Sequence, residues 1–185
     1  MPRILLRFAL TLLWVIAPLP WAVSRAEDDS FLVVVYNVEN LFDVDGAALF
    51  EDYAPDRYGP AHLRTKLVNI ARVLATFDGG RGPDIILFEE LEADQTPGTA
   101  LFDAESFLRQ YAATSLAAML AEPLSADVRD LPAEAFLLKA LHEAGLGPYD
   151  VRTGHHQPDP TGRTIAHVNA TFSRFPIVDA KTHPS

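Results

Sequence analysis

Two short apolar runs, residues 31–35 and 84–88, constrain this chain more than any other feature of it. Each is continuous and rich in β-branched and aromatic side chains, the pattern of a strand buried on both faces. Between them Leu63, Leu67, Ile70, Leu74 and Phe77 recur at spacings of four, three, four and three, which lines one face of a helix opening near Pro60. Gly79-Gly80-Arg81-Gly82-Pro83 stops that helix. The glycine cluster precedes a strand instead of following one, so it is not a phosphate-binding loop. Downstream, the pattern predicts helices over 104–120 and 132–144, the second with proline in its first turn and Gly145 at its C-cap. Strands are expected over 149–152, 167–172 and 177–181. The polar stretch 37–59, scattered with Asp, Gly and Pro, reads as a long functional or surface loop. The order of elements is mixed α/β, with no internal repeat and no linker between domains.

The first 26 residues are set apart from this domain. Arg3 and Arg7 form a positive start, residues 8–17 are apolar except for Thr11, Pro18 and Pro20 break any helix, and Ser24-Arg25-Ala26 puts small residues where a signal peptidase inspects. The uninterrupted apolar stretch is shorter than the roughly 20 residues a spanning helix needs. The expectation is a signal peptide over 1–26, a mature domain over 27–185 with no spanning segment after cleavage, and a periplasmic or secreted location. Charge narrows the function further. Beyond residue 26 there are 12 basic residues against 25 acidic ones, a balance of −13. Such a surface repels polyanions at long range and excludes a protein that coats nucleic acid electrostatically. Any phosphate chemistry then needs a local device such as a bound cation. The chain has no cysteine, which excludes disulfide scaffolds, thiolate zinc sites and cysteine nucleophiles. Its carboxylates and histidines suit hard metals.

Polar residues gather at the carboxyl ends of the two apolar runs, where α/β folds collect ligands. The first run continues as Tyr36-Asn37-Val38-Glu39-Asn40-Leu41-Phe42-Asp43, and the second as Glu89-Glu90-Leu91-Glu92. A carboxylate in such a position can bind Mg²⁺ through oxygen, and the ion then neutralises phosphate charge. Read singly, these residues are equally well turn and surface polars. Gly154, Pro158, Pro160 and Gly162 mark the region of His155, His156 and Asp159 as a solvated loop.

Taken together, three segments resemble the endonuclease/exonuclease/phosphatase superfamily, the fold of deoxyribonuclease I, abasic-site endonucleases, neutral sphingomyelinases and inositol phosphatases. Asn37-Val38-Glu39-Asn40-Leu41-Phe42-Asp43 is similar to its strand-borne asparagine motif. Pro83-Asp84-Ile85 with Glu89-Glu90 is similar to its Pro-Asp-Ile-(x)₃-Gln-Glu motif, and Asn169 to Ile177 to its Ser-Arg-x-Pro-Ile strand. The resemblance spans about residues 31–183. It implies an α/β (α+β) chain forming part of a four-layer α-β-β-α sandwich, with a mixed sheet flanked by helices. Carried over by position, Glu90 matches the metal-binding glutamate. Asn37 matches the asparagine that contacts the phosphate or a metal-held water, and Glu39 falls where some relatives keep an acidic residue beside the metal. Glu89 stands where glutamine is usual. Arg163, just before the third segment, is a candidate to reach a substrate phosphate, the alternative being a surface arginine.

The implied activity is that of an exported Mg²⁺- or Mn²⁺-dependent phosphoesterase. Its substrate class is a phosphate ester in nucleic acid, a phospholipid head group or a small phosphodiester, and the −13 balance favours the smaller ones. Neither the Gly-Asp-x-Asn nor the Ser-Asp-His motif that completes the family's site occurs in the sequence. The resemblance therefore implies the N-terminal part of such a domain, inactive by itself. The alternative is a non-catalytic fragment or pseudo-enzyme. It would associate with another chain through a sheet face carrying Val33, Val35, Ile86 and Phe88, left exposed for want of a partner sheet.

Overall fold

A computed structural model describes residues 30–93, 103–154 and 166–181. Residues 1–29, 94–102, 155–165 and 182–185 lie outside it, and with them the expected signal segment, Arg163 and the His155-His156 loop. Among the described residues the chain is mixed α/β. Four strands, β1 (Val33–Leu41), β2 (Ile85–Glu92), β3 (Asp150–Thr153) and β4 (His167–Ser173), form one sheet in the order β1-β2-β4-β3. β1 and β2 run parallel, with α1 (Pro60–Leu74) in the connection, whereas β4 is antiparallel to both β2 and β3. Four more helices, α2 (Ala104–Gln110), α3 (Leu116–Met119), α4 (Ala126–Arg129) and α5 (Ala133–Glu143), lie between β2 and β3 in sequence.

α1 forms where the spacing predicts it. Pro60 is pre-shaped for the first turn, His62 Nδ1 accepts the Gly59 N–H at 3.2 Å, and Leu63, Leu67, Ile70 and Leu74 are all buried. α5 is buried along its length from Ala133 to Leu141, as a helix apolar on most faces must be. Its two buried charged members each have a partner: Lys139 Nζ donates to the Tyr111 carbonyl at 3.0 Å, and Glu134 Oε1 accepts the Thr153 hydroxyl at 2.9 Å. Gly145, at φ 78°, ends α5 by donating to the His142 carbonyl, and Leu146 donates to that of Leu141. This pairing closes a helix whose next residue must turn left-handed.

Three expectations about the bounds of the elements are corrected. The helix over 104–120 is broken, because Ser115 accepts the Ala118 N–H at 3.1 Å and starts a new helix after α2 has ended. No strand forms over 177–181. Instead Ile177 N–H donates to the Asp150 carboxylate at 2.8 Å, a side-chain contact in place of a ladder. The third correction concerns the loop expected from residue 37, since β1 continues as strand to Leu41.

The sheet is two-faced, so β1 and β2 are not buried on both faces as their unbroken apolar runs predict. Register pairs Val33 with Ile85 and Val35 with Leu87 on one side, and Val34 with Ile86 and Tyr36 with Phe88 on the other. Ile86 and Phe88 are fully buried in the core with the helix residues, whereas Val33, Val35 and Leu87 remain exposed. The apolar face expected to carry all four of Val33, Val35, Ile86 and Phe88 thus holds only the two valines, because neighbours one residue apart point to opposite sides of a strand. Val35 is the most exposed of these positions, at 61%. A Phe31–Phe175 ring pair, 6.3 Å between centroids, stands where β1 begins and β4 ends. No helix among the described residues is long and apolar enough to cross a membrane.

Candidate functional site

Strict alternation would fail at the carboxyl ends of β1 and β2. Tyr36 and Val38 face the helices, so the next core position on β1 would be Asn40; on β2, Phe88 would be followed by Glu90. The chain avoids burying those polar groups by bulging. Between the Asn37–Glu89 and Leu41–Leu91 pairs, three residues of β1 oppose one of β2. Between Phe88–Ala170 and Leu91–Val168, two residues of β2 oppose one of β4. Glu39, Asn40 and Glu90 take the left-handed conformation at φ 52°, 62° and 64°. Leu41 and Leu91 are thereby returned to the core, where both are fully buried. Adjacent left-handed non-glycine residues cost on the order of 1–2 kcal/mol each.

The bulges aim side chains. Asn37 Nδ2 donates to Glu90 Oε1 at 2.8 Å, and Asn37 Oδ1 accepts the Glu39 N–H at 2.8 Å, which fixes the amide's orientation. Glu90 Oε2 takes no hydrogen bond among the described residues. From α1, Lys66 Nζ donates to the carbonyl of Glu39 and, at 2.9 Å, to that of Asn40. Burial lowers the Lys66 pKa, and the charges of Glu39 and Glu90 work against that shift. Tyr53 is shifted upward, first by burial, with the charges of Asp52, Glu39 and Glu90 adding to it and a hydrogen bond with the Asn40 side chain opposing. Lys66 lies 6.0 Å from the Tyr53 ring centroid. The structure thus brings the exposed Asn37 and Glu39 together with the half-buried Glu90, Lys66 and Tyr53, and Glu89, paired with Asn37 across the strands, is exposed on the same side of the sheet as Asn37.

Behind the patch is a second acidic group. Asp43 and Glu92 are buried, and Glu92 Oε2 accepts the Asp43 N–H at 2.8 Å. Burial chiefly, then the Glu92 charge, pushes the Asp43 carboxyl up to about 9, so at neutral pH Asp43 keeps its proton. Both residues line a cavity of about 360 Å³ with Tyr53, Tyr58 and Arg129. Among the described residues no three His, Asp or Glu side chains are grouped to cage a metal.

The third segment has a different part. Ser173 is buried, and Arg174 leads to the opposite ends of the strands, donating to the Arg81 carbonyl and lying 3.7 Å from Asp84. Lys66 and Tyr53 were not marked by the sequence pattern, whereas Asp43 and Glu92 stood within the two polar strand ends without a role assigned to them. Lys66 flanks the apolar face of α1 one position before Leu67, where a lysine ordinarily covers the helix edge, and only the packing of α1 against β1 puts it on the bulge. Compared with known protein families, curated proteins and solved structures, the chain matches none.

Proposed function

We propose that this chain carries part of the reaction centre of an exported, metal-dependent phosphoesterase of the endonuclease/exonuclease/phosphatase superfamily, in a four-layer sandwich of which the described sheet is one half. The observation that carries the reading is the 2.8 Å contact of Asn37 with Glu90 at the bulged carboxyl ends of two neighbouring parallel strands. Rigid strand ends presenting a carboxylate with one oxygen uncommitted among the described residues suit Mg²⁺ or Mn²⁺, hard ions held by one or two protein carboxylates while keeping several waters. Glu90 is the ligand and Glu39 the second acidic group beside it. Asn37, its oxygen engaged by Glu39 N–H, acts on Glu90 and offers its remaining N–H to a phosphate oxygen. The ion, when bound, supplies charge neutralisation and a more acidic water. Arg163 serves as the phosphate contact. A small phosphodiester or a lipid head group is favoured over duplex DNA by the −13 balance of the domain.

The decisive experiment is Mn²⁺ titration of the protein by calorimetry, followed by hydrolysis of bis-p-nitrophenyl phosphate. Binding that is lost in Glu90→Ala supports the reading, and binding unchanged in that variant overturns it. Since no Gly-Asp-x-Asn or Ser-Asp-His motif is present, the expected turnover of this chain by itself is low.

A second reading is favoured by the uncovered sheet face with Val33, Val35 and Leu87. A non-catalytic chain that docks a second sheet there would explain an apolar strand surface exposed to water. Sedimentation of the wild type against Val35→Asp tests it, since the charge would abolish any association through that face.

A further inference from the structure

We infer that Lys66 is a positioning residue of this site: by holding the carbonyls of Glu39 and Asn40 from α1, its ammonium sets the Asn37 amide against Glu90. The inference rests on the proposed metal-dependent reading for its function, but its geometry stands separately. Two consecutive non-glycine residues, Glu39 and Asn40, sit in the left-handed region, which a strand adopts only when its surroundings over-determine it. What lies against this turn is Lys66, whose Nζ donates to both carbonyls. The same turn directs the Glu39 N–H onto Asn37 Oδ1, which leaves Asn37 Nδ2 facing Glu90. Remove the ammonium and two carbonyls lose their donor, so the turn can relax toward ordinary strand and Asn37 swings free.

Lysine suits the task for two reasons. Its compact head has three donors, enough to bridge two adjacent carbonyls. Its charge is held near the acidic patch, where Glu39 and Glu90 favour the protonated form against the pull of burial. Because both visible hydrogen bonds go to backbone carbonyls, Lys66 acts through Asn37 and not on a substrate. Groups behind a metal ligand typically change metal affinity about 10- to 100-fold when removed.

The test uses the purified full chain without metal, and reads the side-chain amide signal of Asn37 by NMR. That signal is assigned by its disappearance in Asn37→Ala, and its position when released from the carboxylate is given by Glu90→Ala, which leaves no side-chain acceptor at that position. In Lys66→Met the Asn37 signal is expected to move to the released position, and Mn²⁺ affinity to fall about tenfold. Lys66→Arg, which keeps the charge and can still reach both carbonyls, is expected to restore most of each. An unmoved Asn37 signal in a folded Lys66→Met protein overturns the inference. So does unfolding of both Lys66→Met and Lys66→Arg, which would make Lys66 a requirement of the fold. If Lys66→Met alone unfolds, Lys66→Gln is read in its place by the same criterion. Should the wild type bind no Mn²⁺, the phosphoesterase reading falls, while the amide signal still decides the role of Lys66.

Discussion

The two ends of the β1–β2 pair are built on opposite principles. At the end where β2 begins, Asp84 is buried and saturated. It accepts the Leu32 N–H at 2.9 Å, two bonds from Arg81 at 3.0 and 3.3 Å, and has Arg174 at 3.7 Å. The hydrogen bond from Leu32, followed by the Arg81 charge, holds its carboxyl below the usual carboxylate range against the effect of burial. Arg174 also lies over the Tyr149 ring, 5.6 Å from its centroid, and the Tyr149 hydroxyl donates to the Pro83 carbonyl at 2.8 Å. At the other end the charges of Glu39 and Glu90 both act on Lys66, the backbone is left-handed at three residues, and Glu90 Oε2 takes no hydrogen bond among the described residues. One end spends its polar groups on the fold, and the other leaves them available. The lesson is that the same strands supply stability where charge is matched and reactivity where it is not.

That contrast can be broken from either side. The largest stability loss is expected for Asp84→Ala, which leaves the Leu32 N–H without its acceptor and takes the carboxylate away from Arg81 and Arg174: about 3–5 kcal/mol, measured by urea denaturation. Because the folded carboxyl is depressed, wild-type stability from this group is present above the unfolded pKa and is lost as pH falls through the lower folded value. The variant should therefore show a flatter acid limb. Metal binding per remaining folded protein should be unchanged.

At the opposite end the effects reverse. Glu90→Gln should shift the denaturation midpoint little while lowering Mn²⁺ affinity at least about 100-fold, or about 2.7 kcal/mol. A loss of stability as large as that of Asp84→Ala would show that Glu90 belongs to the fold and dissolve the comparison.

Asp43 sharpens it further. Its folded carboxyl is raised to about 9, so the native state binds a proton the unfolded chain releases. Stability should fall as pH rises from about 4 to 9, by at most about 1.4 kcal/mol per pH unit. Asp43→Asn keeps the oxygen that accepts the Asp45 N–H at 3.0 Å, removes the slope and should stabilise the metal-free protein by about 1–3 kcal/mol at pH 8, read by thermal denaturation in chelator. The smallest effect is expected on the open face, where Val35→Thr should change stability by no more than about 0.5 kcal/mol. A larger loss would mean that this face is covered in solution.

Much of the frame was legible. Leu63, Leu67, Ile70 and Leu74 announced α1 because a helix must bury one face, and 31–35 and 84–88 announced β1 and β2 because a parallel pair is built from unbroken apolar runs. The pairing of Asn37 with Glu90 was foreshadowed by their places after those runs. Phase was not legible: the segment from Asn37 read as loop because it is polar and leads into scattered Asp, Gly and Pro, whereas β1 continues through a bulge to Leu41. Nor did the pattern tell that Val35 would stay in water while Ile86 went into the core, since both belong to equally apolar runs.

The chain's own order of residues determined that two strands would flank a helix and end in carboxylates, because periodicity is a local property that each segment carries alone. Only the folded arrangement decided which carboxylate meets which amide, which carboxyl keeps its proton and which lysine holds the turn. Those outcomes depend on distances between segments far apart in sequence, such as Asn37 and Glu90, and on how much water each group loses when the segments meet.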